Sequence, residues 1–179
     1  MIGYLVGSGF YDQPGLSPSD VDTRFGRVTV WLGDSGTRPV ALVSRHGPGH
    51  TRLSHQVQHR ANLLALQQVG ATAIVSCSVC GVARPDWPIG RPMLAEEIFY
   101  PSNRLPSGEV CTIFDQPGQP GRGHLIASSL LHPELSQTIA STWREHGATP
   151  MQGTYGHVDG PRLDTRSEVR ALRAAGVDF

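Results

Sequence analysis

The chain has 179 residues, 39% of them apolar and 17% charged, which is enough for one globular domain, residues 1–179, with a sizeable core. Fifteen basic residues, all of them arginine, balance fifteen acidic ones, so no net charge draws the protein to nucleic acid or to an acidic membrane. No leader and no apolar run near the roughly 20 residues of a membrane span is present. The odd count of three cysteines (Cys77, Cys80, Cys111) speaks against a disulfide framework, so a cytoplasmic protein with reduced thiols is expected.

Ile2 to Val6 is a short apolar strand running into Gly7-Ser8-Gly9, whose glycines permit positive φ and close approach to the backbone. Arg27 to Leu32 alternates as a strand does, Gly33 to Pro39 is a turn, and Val40 to Val43 is a second apolar strand ending at Ser44-Arg45-His46-Gly47. Ser54 to Val69 reads as an amphipathic helix stopped by Gly70, and Thr72 to Ser76 as a buried strand. That order implies a crossover between two parallel neighbours and hence an α/β fold whose strand ends open on one sheet edge.

Further strands are expected at Leu94 to Tyr100, Val110 to Phe114 and Thr154 to Val158. Pro133 opens a helix with Leu135, Ile139, Ala140 and Trp143 on one face and Gly147 as its stop. Thr165-Arg166-Ser167-Glu168 is a capping box for a third helix through Ala175, after which Val177-Asp178-Phe179 begins another strand. A chain ending there stops in mid-architecture, without its C-terminal elements.

Several groups carry candidate chemistry. Gly7-Ser8-Gly9 is either an anion cradle of backbone N–H groups and the Ser8 hydroxyl or a simple tight turn; Asp12 stands where a dinucleotide fingerprint needs its third glycine. Arg45-His46 offers a planar donor fork and a ring N–H to phosphate, or is a surface arginine beside a structural histidine. His55 and His59 have helical ligand spacing, but Gln56 replaces the glutamate of a zincin and no third ligand is evident, so no metal is expected. Cys77-Ser78-Val79-Cys80 has no second cysteine pair, and its cysteines read as small core residues. The Ser78 hydroxyl and the backbone N–H groups around Val79 and Gly81 would share a sheet edge with Arg45.

Four segments taken in order, Val6 to Asp12, Ser44 to His50, His59 to Leu66 and Gly153 to Arg162, resemble the methylthioadenosine and purine nucleoside phosphorylase family. The Arg-His-Gly segment with the Arg-Ala-Asn helix behind it is the most specific part. The resemblance implies a mixed sheet flanked by helices in a three-layer sandwich. It also implies phosphorolysis of purine nucleosides (methylthioadenosine, methylthioinosine, inosine or guanosine) to free purine and a ribose-1-phosphate or its methylthio analogue, with inorganic phosphate as co-substrate and no cofactor.

Carried over residue by residue, it assigns phosphate to Ser8, Arg45, His46, Ser78 and the Val79 backbone. His124 matches a histidine lent to the 5′ pocket of a neighbouring subunit, which implies a homotrimer, and Leu163 matches a phenylalanine that stacks on the purine. Asp159 replaces the family's usual glutamate, Pro48 a common arginine, and Leu53-Ser54 a Pro-Pro pair. The family's later Met-Thr pair and purine-protonating group have no counterpart, so the proton donor to the base is unassigned. The alternative expectation is a non-catalytic phosphate-binding or assembly protein.

Overall fold

A computed structural model describes residues 1–10, 14–36, 38–124 and 129–179. Tyr11 and Asp12 of the first motif therefore lie outside the described residues. Two compact units emerge, the first made of Met1–Val79, Arg104–Gly121 and Asp159–Pro161, the second of Cys80–Asn103, Arg122–Val158 and Arg162–Phe179.

The first unit is built on a five-stranded sheet. Its strands are β1 (Ile2–Val6), β2 (Ser17–Thr23), β3 (Gly26–Ser35), β4 (Arg38–Ser44) and β5 (Ala73–Cys77), in the order β2-β3-β4-β1-β5. β2, β3 and β4 form an antiparallel meander, while β1 lies parallel to both β4 and β5. The expected crossover strands are thus parallel but not adjacent, because β1, the first strand made, occupies the place between them. β2 has no apolar alternation in its sequence (Ser-Pro-Ser-Asp-Val-Asp-Thr) and exists as an edge strand because β3 offers it a ladder.

Helix α1 (His59–Gln68) is shorter than its periodicity predicts, since Ser54–Gln56 is a separate 3-10 turn. His55 and His59 consequently do not share a helix. Ala61, Ala65 and Leu66 of α1 meet Val28, Val30, Ala41 and Val43 of the sheet to form the core. Two alanines four residues apart let the helix lie close to the sheet, and burial of these apolar side chains is the main favourable term.

The expected strand Val110 to Phe114 does not form; only an isolated bridge joins Arg104 and Val110. Side chains hold that segment instead. Arg60 of α1 bonds Glu109 at 2.9 Å and lies over the Phe25 ring, and Arg24 pairs with Asp115 at 3.2 Å. β5 also departs from expectation: it is the edge of its sheet, so Cys77 is exposed rather than a core residue, and Cys80 is half-buried. All three thiols are free, and burial pushes that of Cys111 up.

The second unit contains the parallel pair β6 (Met93–Phe99) and β7 (Met151–Gly156), with α2 (Pro133–Glu145) and α3 (Arg166–Ala174). The capping box is formed as read: Thr165 Oγ1 accepts from Glu168 N–H, while the Glu168 carboxylate accepts from Thr165 N–H at 2.7 Å. Residues 177–179 run beside β7, with Asp178 N–H donating to Thr154 O at 2.9 Å and Gly156 N–H to Phe179 O at 2.7 Å. Gly153 and Gly156 make this approach possible, since a Cβ on either would stand 2.4 Å from Asp178 Oδ2 or 2.6 Å from Val177 Cγ1. Val177 and Phe179 are buried by it.

Candidate functional site

Register decides what the sheet edge presents. Val6 of β1 pairs with both Ser44 of β4 and Cys77 of β5, so three parallel strands end level. The ladders continue one step further, with Gly7 N–H donating to Cys77 O and Arg45 N–H to Val6 O, both at 3.0 Å. Gly7-Ser8, Arg45-His46 and Ser78-Val79 therefore leave the carboxyl edge side by side, although they are far apart in sequence. Ligand crevices of α/β sheets open at this edge.

Gly7 has a more specific task than loop flexibility. A Cβ built there would stand 2.7 Å from Arg45 Nη2 and 2.9 Å from Cζ, so the guanidinium rests directly on the Gly7 backbone. Gly9, at φ 93°, supplies the left-handed turn that a side chain would resist. Ser44 Oγ donates to Phe10 O at 2.6 Å and ties the end of this loop to β4.

His46 is 6% exposed and both ring nitrogens are engaged. Nδ1 lies 2.9 Å from the Arg52 carbonyl, and Nε2 lies 3.2 Å from Arg45 Nε. A carbonyl can only accept and a guanidinium can only donate, so the ring is neutral, with its proton on Nδ1. Burial pushes the imidazole below its usual range; the Arg52 carbonyl partly opposes this, and the nearby Arg45 and His50 add to it. His50 stacks on His46 with ring centroids 4.4 Å apart.

Because His46 takes the Nε–H of Arg45, the guanidinium is left with its two terminal amino groups, which make no ion pair among the described residues. On the same sheet edge are the exposed Ser8 and Ser78 and the 81% exposed Val79, whose N–H groups and hydroxyls are donors. A cation and neutral donors on one edge are the groups that suit a tetrahedral oxyanion. The segments that carry Ser8, Arg45, His46, Ser78 and Val79 thus share one sheet edge, but the His46 ring does not offer the N–H expected of it, because both its nitrogens are engaged within the protein. Ser44, His50 and the Arg52 carbonyl were not singled out as supports, because they act through folded contacts that have no motif.

His124 and Leu163 belong to the second unit, and both are exposed, Leu163 at 93%. No group of three or more metal-ligating side chains occurs among the described residues.

The sequence matches the profile of the Phosphorylase superfamily over residues 1–179. The chain belongs to that superfamily. Among its relatives is a protein of Thermococcus kodakarensis named probable 6-oxopurine nucleoside phosphorylase, 31% identical over 99% of this chain and 68% of that protein. Another is the S-methyl-5′-thioadenosine phosphorylase of Thermofilum pendens, 32% identical over 99% of this chain and 68% of the relative. The fold matches the methylthioadenosine phosphorylase of Schistosoma mansoni in complex with tubercidin, with a TM-score of 0.86 at 24% identity over 99% of this chain and 69% of that one. The superfamily member described here therefore has a nucleoside phosphorylase α/β fold with a mixed sheet and spans about two thirds of these relatives.

Proposed function

We propose that the protein catalyses phosphorolysis of a purine nucleoside, with phosphate bound at the carboxyl edge of β4, β1 and β5. The observation that supports this reading is the level ending of those strands, by which Arg45, seated on Gly7, leaves the same sheet edge as Ser8, Ser78 and Val79. The relatives' names supply the class of reaction.

In this reading a phosphate oxygen attacks the anomeric carbon as the glycosidic C–N bond breaks, its electron pair leaving with the purine. Positive charge develops on the sugar ring, and the bound phosphate faces it as the stabilising anion. Arg45, Ser8, Ser78 and the Val79 N–H hold that anion, and His46 serves it from behind, by accepting the Arg45 Nε–H and so orienting the guanidinium. Phosphate is the co-substrate and no cofactor is required. The products are free base and ribose-1-phosphate or its 5-methylthio analogue.

The same reading places Leu163 against the purine, where an aliphatic side chain offers contact but no ring stacking. It assigns His124 to the 5′ pocket of a neighbouring subunit in a cytoplasmic homotrimer. Both residues are exposed in the single chain, as such roles require.

The test is release of free base from methylthioadenosine, methylthioinosine and inosine, each with and without phosphate. Phosphate-dependent release from at least one is expected, and the preferred nucleoside identifies the substrate. Absence of release from all three, or release indifferent to phosphate, would refute the proposal.

A further inference from the structure

Residues 47–51 form a loop whose two ends are fixed on one residue. Arg52 N–H donates to the His46 carbonyl at 2.8 Å, and His46 Nδ1–H donates to the Arg52 carbonyl at 2.9 Å. Between these ends the backbone turns back through three left-handed residues, Gly47 at φ 73°, Gly49 at φ 60° and His50 at φ 60°. The His50 N–H closes the turn on the Gly47 carbonyl at 3.2 Å. Glycines enter this region freely, whereas a side chain resists it; His50 and Asn103 are the two non-glycine residues that adopt it among the described residues.

The product of that turn is a stack. The His50 ring lies on His46 with centroids 4.4 Å apart and planes 8° from parallel, although His50 itself is exposed. Burial in the core therefore does not account for the strained backbone at His50. Contact with the buried His46 ring does.

What His46 needs from a neighbour follows from its two hydrogen bonds. The torsion about Cβ–Cγ of a histidine is broad, and rotation about it carries Nε2 out of the ring plane. The bond at risk is the one from Arg45 Nε–H to Nε2, which at 3.2 Å is the longer of the two. Such a rotation moves the ring atoms toward its faces, and a second ring lying parallel against one face obstructs it. We propose that His50 is a positioning residue: stacked on His46, it holds the imidazole in plane with the Arg45 Nε–H and so keeps the guanidinium aimed from the sheet edge. Its consequence for phosphate rests on the phosphorolysis reading, whereas the brace itself is measurable without a ligand.

The test uses the full chain labelled with nitrogen-15. Hydrogen exchange at Arg45 Nε–H is followed by NMR, and affinity for inorganic phosphate by calorimetry. Asparagine tolerates the left-handed region, so His50→Asn removes the ring and keeps the turn, while His50→Phe keeps a ring. His50→Asn should speed Arg45 Nε–H exchange and weaken phosphate binding, each about 3–10-fold, the range of one ordinary hydrogen bond. His50→Phe should bring both back to within about twofold of the unsubstituted protein, and His50→Asn should add nothing to the phosphate affinity of Arg45→Gln. Unchanged exchange in His50→Asn, a His50→Phe protein as impaired as His50→Asn, or the full loss of affinity persisting in Arg45→Gln would each overturn the inference. So would an Arg45 Nε–H that exchanges as fast in the unsubstituted protein as that of the exposed Arg38, a comparison that needs no variant. Slow, His50-dependent exchange in a protein that binds no phosphate would refute the phosphorolysis reading and support the brace; phosphate binding with fast exchange would do the reverse.

Discussion

Replacing Gly7 by alanine isolates the contact on which the phosphate site depends. The added Cβ would lie 2.7 Å from Arg45 Nη2 and 2.9 Å from Cζ, whereas comfortable contact starts near 3.5 Å, so the guanidinium must retreat by about 0.8 Å. Only the end of a flexible side chain has to move, and removing a glycine from the unfolded ensemble offsets about 0.4–1 kcal/mol of that strain. Folding stability should therefore change by less than about 1 kcal/mol, a shift of about 2–4 °C in Tm. Phosphate affinity should suffer far more. One charge-assisted hydrogen bond is worth about 1.5–3 kcal/mol, so Gly7→Ala should bind phosphate about 10–100-fold more weakly. Calorimetric titration with phosphate gives the affinity and a thermal melt gives the stability. In the Arg45→Gln background, Gly7→Ala should have almost no further effect, because the group it displaces is gone. Unchanged phosphate affinity in Gly7→Ala, or its full effect persisting on top of Arg45→Gln, would refute the seating of Arg45 on Gly7.

Other outcomes follow from the same contacts. His46 is held neutral below the usual histidine range, so the unfolded chain binds the proton more readily. Stability should fall as pH drops below about 6.5 and level off above it, and His46→Gln should remove that component of a Tm-versus-pH curve. Protonation also forces the ring to give up the Arg45 Nε–H, so sulfate, which does not titrate in this range, should bind less tightly as pH falls from 7.5 to 5.5 if that bond orients Arg45; tighter binding at low pH would show direct donation to the anion instead. Leu66→Ala removes a fully buried side chain from the α1–sheet core and should cost about 2–5 kcal/mol by denaturant titration. Thr165→Ala breaks the cap of α3 and should cost about 1 kcal/mol in the same assay. Glu168, lowered to about 2 first by its bond to Arg162 and then by Thr165, keeps its share of stability above about pH 4.5 and loses it as pH falls toward 2.

Much of this architecture was legible because it is local. The capping box of α3, the Pro133 start of α2 and the apolar runs of β1 and β4 depend on neighbours within a few residues, so pattern alone places them. The exceptions have non-local causes. β2 carries no strand pattern and exists through its ladder with β3. Val110 to Phe114 has the pattern of a strand but finds only a single bridge, and Arg60 and Arg24 hold that region through side chains. β5 has core composition yet stands at the edge of its sheet, which leaves Cys77 exposed.

The candidate site divides in the same way. Residue types and order by themselves determined that Ser8, Arg45, His46, Ser78 and Val79 follow strands; their assignment to an anion came from the family resemblance. Tertiary structure alone decided that β1 inserts between β4 and β5, that Val6 stands level with Ser44 and Cys77, and that Arg45 lies on Gly7 with His46 neutral behind it. Strand propensity is a property of a segment. Register and side-chain seating are properties of pairs of segments distant in the chain, whose meeting is set by the hydrogen-bond ladder and the core beneath it.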